Sequence, residues 1–305
     1  MPKVAFVFPG QGSQHAGMGA ELLTDPEVAA LCDRCAGAAG VDLRRLLVTA
    51  DDDELRLTQN AQPALCFVGL GLTLLLRRRG IDAAAAAGHS VGEYAALATS
   101  GAVGASQVIK AVVERGRAMA EAAPAGTSSM AAVLGLDAQA VEVALAGMND
   151  AWPANYNTPT QTVIAGTTAG LEAATKRLQA AGAKRIVPLS VSAAFHTPLM
   201  APAAERLRAA LDRIEWRAPR IPVMANLTGR THQGGERIAQ VMEMQLRSPV
   251  RWAACVQSLV EIGCDTFIEV GPRRALTGMM RDLAPGATAI SVATPAAAQE
   301  LAIPA

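Results

Sequence analysis

Short apolar runs alternate with longer segments of helical composition in the first part of the chain. Val4–Phe8 and residues 81–88 have the length and apolar character of buried strands, and both lead into glycine-containing turns. The longer segments predict helices at residues 19–23, 29–37, 64–79 and 105–122. Strands that alternate with helices in this way are typical of an α/β fold with a mostly parallel sheet.

A different pattern begins near residue 129. Strand-like segments at 129–134, 152–156, 162–165 and 185–191 enclose helical segments at 138–146 and 171–181. The order β-α-β-β-α-β is that of a ferredoxin-like unit, which closes on itself and can be inserted into a larger domain. The pattern therefore predicts a discontinuous large domain of residues 1–126 and 194–305, and a small ferredoxin-like domain of residues 127–193.

Composition narrows the classes of function. The 305 residues are 51% hydrophobic, which supports a sizeable core, and only 3% aromatic, which argues against nucleic-acid binding by base stacking. Lys plus Arg equals Asp plus Glu at 27 each, so no global charge points to DNA or an anionic membrane. An acidic partner would need a local basic patch. Lys184-Arg185 and Arg273-Arg274 are candidates, although a solvated surface explains each pair equally well.

The cysteines favour a reducing compartment and no metal site. Cys32 and Cys35 form the only close pair among five cysteines, without a second pair at zinc spacing or a preceding thioredoxin-like strand. Buried, reduced thiols are therefore predicted. An odd number of cysteines without a secretory signal favours the cytoplasm.

No targeting or membrane segment is predicted. The apolar run at the amino terminus is too short for the core of a signal peptide. The longest apolar run, residues 64–76, is shorter than the roughly 18 residues that a membrane span needs. It predicts a buried helix, so a cytoplasmic protein without membrane association is expected.

The stretch from Gly88 to Glu93 fits G-x-S-x-G, a strand-to-helix turn that exposes a serine hydroxyl. A predicted strand precedes Ser90 and a helix-like segment follows it. The flanking glycines are needed because a sharp turn leaves no room for a Cβ atom. One backbone donor for an oxyanion is expected at the residue after the nucleophile, Val91.

A serine nucleophile needs a base, most often histidine. His196 follows a predicted strand at the second junction of the small domain, and the residues alone favour it only modestly. His89 precedes the serine and is expected to pack or to form a hydrogen bond. His232 lies in a polar, glycine-containing stretch and is expected in an exposed loop. No carboxylate stands out as a third member of the site.

A second glycine motif, from Phe8 to Gln14, follows the first predicted strand, and further segments join it. With these, the chain resembles the malonyl-CoA:acyl carrier protein transacylases, including the acyltransferase components of fatty acid and polyketide synthases. The matching segments are 8–14, 58–64, 88–93, 114–116, 155–157, 161–166, 195–196, 245, 248–250 and 269–272. They occur in the family's order over nearly the whole chain.

The resemblance implies a fold and a set of roles. The fold is an α/β-hydrolase-like core with the small inserted domain. Ser90 is the nucleophile and His196 the base, which the main chain of Gln245 orients in place of a carboxylate. Gln11 supplies the second backbone donor of the oxyanion hole. Gln62 and Asn157 are weaker candidates for the substrate pocket.

Arg115 distinguishes this family from simple esterases. It lies near Val113 and Met119 on a largely apolar predicted helix, where a buried guanidinium needs a partner, and a carboxylate is the best one. In the family the matching arginine binds the free carboxylate of malonyl and so selects malonyl over acetyl. Phe195 resembles the bulky residue of malonyl-selective members, which excludes a methylmalonyl branch.

The implied function is ping-pong transfer of malonyl from malonyl-CoA, through a Ser90 ester, to the phosphopantetheine thiol of an acidic acyl carrier protein. This would supply extender units for fatty acid synthesis without a bound cofactor or metal, and a monomer is the default expectation. A discrete acyltransferase of a polyketide synthase shares every motif. A serine thioesterase or other hydrolase, which would share Ser90 and His196, and a non-catalytic binding module are the remaining alternatives.

Overall fold

The computed structural model describes residues 2–122, 126–191 and 193–303. The strands are β1 (Val4–Phe8), β2 (Ala85–Gly88), β3 (Ser128–Leu134), β4 (Ala151–Thr158), β5 (Gln161–Thr167), β6 (Arg185–Pro188), β7 (Val223–Met224), β8 (Thr266–Val270) and β9 (Thr288–Val292). The α-helices are α1 (Pro26–Ala39), α2 (Leu43–Val48), α3 (Asp52–Arg56), α4 (Thr58–Arg78), α5 (Gly92–Thr99), α6 (Ala105–Glu121), α7 (Ala138–Leu145), α8 (Thr168–Ala180), α9 (Ala201–Leu211), α10 (Ile238–Leu246), α11 (Trp252–Glu261), α12 (Thr277–Leu283) and α13 (Pro295–Glu300).

The larger core is built on a parallel sheet with strand order β7-β2-β1-β8-β9. Along β1, Phe6 and Phe8 belong to one apolar cluster, whereas Ala5 and Val7 belong to another that includes Trp252. Successive side chains of a strand point to opposite faces, so helices cover this sheet on both sides. The structure confirms the predicted α/β class and parallel core.

The second sheet is antiparallel, with strand order β4-β5-β3-β6, and α7 and α8 complete the β-α-β-β-α-β unit. Strand β4 also contacts the larger core, because Tyr156 N–H donates to the Val250 carbonyl at 2.9 Å and Val250 N–H to the Ala154 carbonyl at 2.8 Å. The two sheets draw their strands from the separate segments that the sequence predicts. The exact domain boundaries stay a prediction.

Several predicted bounds change. The strand expected over residues 81–88 is confined to β2, and only Leu22–Thr24 is helical, as a 3-10 turn, where residues 19–23 were expected. Helix α4 begins at Thr58, before Pro63, and not at residue 64. Proline costs one helical hydrogen bond, but Ala61 and Gln62 are buried, and packing of this turn outweighs that cost.

Helix α4 is consequently longer than the apolar run suggests. By length and composition it could cross a membrane, yet 83% of its apolar window is buried inside the molecule. Core helices of folded domains have this property. The prediction of a buried helix is confirmed, whereas its predicted length is too short.

Candidate active site

Ser90 occupies a tight turn between β2 and α5, with a left-handed backbone φ of 53°. A Cβ atom on Gly88 would lie 1.9 Å from the Gly92 carbonyl carbon, and one on Gly92 would lie 2.2 Å from the Phe8 oxygen. Neither position tolerates a side chain, so the glycine spacing of the motif is a steric requirement. The left-handed conformation of a non-glycine residue costs about 1–2 kcal/mol, which surrounding contacts must offset.

The two glycine loops lie against each other. His89 N–H donates to the Phe8 carbonyl at 2.9 Å, and a Cβ on Gly10 would lie 2.7 Å from the His89 oxygen. The backbone N–H groups of Gln11 and Val91 donate to no other group in the described parts of the chain. These two donors are therefore available for an oxyanion.

Ser90 and His196 form a hydrogen-bonded pair, with 2.7 Å between Oγ and Nε2. On the other side of the ring, Nδ1 lies 2.9 Å from the main-chain oxygen of Gln245. A carbonyl only accepts, so Nδ1 carries the proton and Nε2 is left as the acceptor for the serine hydroxyl. Burial, followed by the nearby charge of Arg115, lowers the pKa of His196 from 6.5 to about 3, so the imidazole is neutral near pH 7.

Arg115 points from α6 at the nucleophile. Its Nη2 lies 3.1 Å from Ser90 Oγ and 3.1 Å from Gln245 Oε1, and its Nη1 lies 2.7 Å from Gln62 Oε1. The side chain is fully buried. A Cβ on the next residue, Gly116, would lie 2.8 Å from Gln59 Cα, so this glycine allows the close approach of α6 to α4.

The guanidinium of Arg115 has no carboxylate among its hydrogen-bond partners in the described residues. Among the described residues its Nε has no hydrogen-bond partner, and its other partners are neutral oxygens. Burial lowers the pKa of this guanidinium. Arginine side chains nevertheless stay protonated in proteins. A buried cation beside the nucleophile with only neutral partners is a ready site for the carboxylate of a substrate.

A buried carboxylate, which the sequence pattern does not indicate, lies next to Gln245: it is that of Glu93. Glu93 is fully buried, and its Oε2 accepts from Gln245 Nε2 at 2.8 Å and from the Asn226 backbone N–H at 3.0 Å. It does not contact His196, so it is not the third member of a hydrolase triad. Glu93 directly follows the G-x-S-x-G motif, but glutamate in the first turn of a helix is common and carries no specific signal.

His232 contradicts the prediction of an exposed loop. Its side chain is only 1% exposed, and its Nε2 lies 2.7 Å from Glu93 Oε1. The polar residues around it remain near the surface, while the ring turns inward to the carboxylate. No local pattern reveals this, because the partner lies 139 positions away in the chain.

The other candidates, Phe195 and Asn157, make no side-chain hydrogen bond to Ser90 or His196 among the described residues. Phe195 is 6% exposed and directly precedes His196. Asn157 Oδ1 accepts from His89 Nε2 at 3.0 Å, and Asn157 Nδ2 donates to Gln161 Oε1. Gln11, His89, Asn157 and Gln161 line a cleft of about 350 Å³ that also reaches Ala275 and Leu276. His89 has the hydrogen-bonding role that its position predicts.

The remaining sequence candidates are placed as follows. All five cysteines are buried and unpaired, as predicted, and burial raises the pKa of Cys32 to about 11. In the described residues no three His, Cys, Asp or Glu side chains are grouped to hold a metal ion. Arg273 and Arg274 are exposed directly before the cleft residue Ala275.

Gln245→Ala should reduce acylation of Ser90 far less than His196→Ala. The substitution keeps the main-chain oxygen that orients His196 and removes side-chain contacts to Arg115, Glu93 and the Ser90 carbonyl. Lost hydrogen bonds of this kind predict a decrease of about tenfold. Single-turnover loading rates of both variants test this, and equal losses would show that the side chain of Gln245 matters as well as its main chain.

Acylation should not lose half its rate near pH 6.5, the ordinary pKa of histidine. Because the pKa of His196 is lowered, the neutral base is retained as the pH falls through 6.5 and is lost only toward pH 3. Inactivation by a neutral sulfonyl fluoride, followed between about pH 4 and 8, measures this without titration of a substrate. A midpoint near 6.5 would contradict the lowered pKa.

The site combines a serine on a tight turn, a neutral histidine held by a carbonyl and two free backbone donors, which are the groups that acyl transfer through a serine ester requires. The chain belongs to the acyl transferase domain family, whose sequence profile matches residues 5–297.

Curated relatives and solved structures match this chain over nearly its full length. The malonyl CoA-acyl carrier protein transacylase of Bacillus subtilis (strain 168) is 39% identical over 300 residues, covering 97% of this chain and 95% of the relative. The solved structure of the transacylase from Coxiella burnetii has a TM-score of 0.93 at 35% identity, covering 98% of this chain and 96% of that one. A malonyl-transacylase solved with a type II PKS acyl-carrier protein has a TM-score of 0.92 at 37% identity, covering 97% and 98%.

Proposed function

We propose that this protein transfers the malonyl group of malonyl-CoA to the phosphopantetheine thiol of an acyl carrier protein through an ester on Ser90. One observation carries the choice of acyl group. The buried Arg115 guanidinium lies 3.1 Å from Ser90 Oγ. The names of the relatives support the same donor and acceptor.

The position of Arg115 suits an acyl group with its own carboxylate. In a malonyl ester one methylene separates the ester carbonyl from the carboxylate, so an anion held on Ser90 can reach a cation adjacent to Oγ. Acetyl offers no anion and would leave the buried charge without a counter-ion, which is costly. A simple thioesterase has no use for this arginine.

In the first half-reaction, Ser90 Oγ attacks the thioester carbonyl while its proton passes to His196 Nε2. The backbone N–H groups of Gln11 and Val91 donate to the oxyanion as it forms. Collapse of the tetrahedral intermediate breaks the bond from carbon to sulfur, and the proton on His196 passes to the departing CoA thiolate. The products are the malonyl-Ser90 ester and free CoA.

The second half-reaction runs through the same groups in reverse. His196 takes the proton of the carrier thiol, the thiolate attacks the ester carbonyl, and Ser90 Oγ leaves with that proton. No metal or bound cofactor takes part in either half. Arg115 holds the acyl group throughout, which restricts the positions open to an attacking water.

Three further side chains are proposed to set specificity. Gln62 accepts from Arg115 Nη1 at 2.7 Å and so fixes the direction of the guanidinium. Phe195, adjacent to His196, leaves no room for a branched acyl group. Asn157 lines the cleft through which a pantetheine arm would approach, and it is held there by His89 and Gln161.

Supply of extender units for fatty acid synthesis in the cytoplasm, by a monomer, is the proposed physiological setting. Service to a polyketide carrier is the second candidate, because a similar structure was solved with a type II PKS carrier. Transfer rates to carriers of the two classes distinguish these settings.

The intact mass of the protein after brief exposure to malonyl-CoA tests the proposal, with acetyl-CoA and methylmalonyl-CoA in parallel. We expect a malonyl adduct that moves to an added carrier protein. Release of CoA without an adduct would indicate a hydrolase. Preferential loading of another acyl group would retain the acyltransferase class and contradict the roles given to Arg115 and Phe195.

A further inference from the structure

The side chain of Asn226 makes two hydrogen bonds to the backbone of the nucleophile turn. Its Oδ1 accepts from the Ser90 N–H at 2.7 Å, and its Nδ2 donates to the Gly88 carbonyl at 2.7 Å. The two contacts lie on either side of His89, at the point where the chain leaves β2. Asn226 thus bridges Gly88 and Ser90, the residues before and after His89. Ser90 is the residue whose backbone is left-handed.

This arrangement extends the parallel ladder beyond the end of the strand. Ala86 pairs with Val223 and Ala87 with Met224, so two more steps in the same register would place His89 opposite Asn226. In a parallel ladder the residue opposite His89 would donate to the Gly88 oxygen and accept from the Ser90 N–H. The Asn226 carboxamide makes both of these hydrogen bonds with its side chain after the strand itself has ended.

Asn226 is itself fixed at every polar atom. It is fully buried, its backbone N–H donates to Glu93 Oε2 at 3.0 Å, and its carbonyl accepts from Arg251 N–H at 2.9 Å. The turn offers one acceptor, the Gly88 carbonyl, and one donor, the Ser90 N–H, and the Nδ2 and Oδ1 of a carboxamide match both at neutral pH.

The contact also decides which backbone donors can serve an oxyanion. The N–H of Ser90 is already committed to Asn226, whereas those of Gln11 and Val91 are free in the described residues. On the opposite side of the turn, the Ser90 carbonyl accepts from Gln245 Nε2 at 3.1 Å. Both ends of the Ser90 backbone are therefore occupied by carboxamides, and only its hydroxyl faces His196.

We propose that Asn226 is a positioning residue for acyl transfer, whose carboxamide holds the strained Ser90 backbone in the conformation that presents Oγ to His196. The inference rests on the proposed function only in taking Ser90 as the acylated residue. Since Asn226 contacts the turn and not the acyl-CoA, it should govern the maximal rate of acylation and not the half-saturating concentration of malonyl-CoA.

Asn226→Asp provides a pH-dependent test. An ionised aspartate can accept from the Ser90 N–H but opposes the Gly88 carbonyl, because both are acceptors. A protonated aspartate can accept and donate, as the carboxamide does, and burial favours the protonated form. The ratio of variant to wild-type acylation rate should therefore rise as the pH falls from about 8 to about 5.

The measurement is single-turnover loading from malonyl-CoA, with the rate expressed per folded protein. We expect Asn226→Asp to be at least about tenfold slower than wild type at pH 8, with an unchanged half-saturating concentration, and to recover toward wild type at pH 5. Asn226→Leu should be slow at both values. Asn60→Asp is the matched control, because within the described residues the Asn60 carboxamide donates only to the Glu54 carbonyl and should be dispensable.

A wild-type rate for folded Asn226→Asp at pH 8 would overturn the proposal. So would a deficit that does not change with pH, or one that appears only as a smaller folded fraction. Failure of the wild-type protein to form any Ser90 adduct would instead contradict the proposed function, so the two ideas fail separately.

Discussion

Ser90→Ala should form no malonyl adduct at all, and His196→Ala should acylate about 10²–10⁴ times more slowly than wild type. The first substitution removes the atom that carries the ester. The second removes the only acceptor that lies 2.7 Å from the hydroxyl among the described residues. Because the pKa of His196 is lowered, wild-type protein holds this base in its neutral form near pH 7, and no protonated fraction reduces the rate.

Intact mass and stopped-time loading with malonyl-CoA measure both effects. His15→Ala is a suitable histidine control, because among the described residues the His15 ring forms a hydrogen bond only with the carbonyl of the adjacent Ala16. An adduct of normal mass on Ser90→Ala would place the ester elsewhere in the chain. A His196→Ala rate within a few fold of wild type would mean that another group accepts the serine proton.

Arg115→Ala should change which acyl group is used. Truncating one partner of a buried charge pair costs about 2–5 kcal/mol, so malonyl loading should fall by about 30-fold or more. Acetyl loading, which makes no ionic contact, should fall much less, and the malonyl-to-acetyl ratio should drop. The cavity left by the side chain also removes the contacts to Gln62 and Gln245, so some loss of thermal stability is expected.

Two companion variants separate charge from packing. Arg115→Lys keeps the charge but lacks the planar fork that binds a carboxylate bidentately, so it should give an intermediate ratio. Arg117 lies on the exposed side of the same helix, so Arg117→Ala should leave the malonyl-to-acetyl ratio at the wild-type value. An unchanged ratio in Arg115→Ala would remove the basis for malonyl selection by this residue.

The sequence determines the parts of this protein whose chemistry is local. Gly88 and Gly92 are needed because a Cβ at either position meets backbone within 2.2 Å, and this constraint is visible as a glycine spacing. The alternation of strands and helices follows from the period of the apolar residues, and it predicts both sheets. The loop from Phe8 to Gln14 is recognisable from its glycine spacing, since a Cβ on Gly10 would lie 2.7 Å from the His89 oxygen.

Only the tertiary structure decides the polar contacts that complete the site. His196 is one of four histidines, and its selection depends on a contact across 106 positions with Ser90. Asn226 holds the same serine from 136 positions away, and nothing in its neighbouring residues indicates this. The His232 side chain is buried with its ring hydrogen-bonded to Glu93, which lies 139 positions away.

The physical reason is the same in each case. Apolar periodicity and glycine sterics act over a few residues, so they can be read along the chain. A buried polar group, by contrast, is stable only with a partner, and the fold chooses that partner from any point of the sequence. The sequence by itself therefore determines the fold class, the serine turn and the acyltransferase family, whereas the arrangement of Arg115, Gln245, Glu93 and Asn226 around Ser90 exists only once the chain has folded.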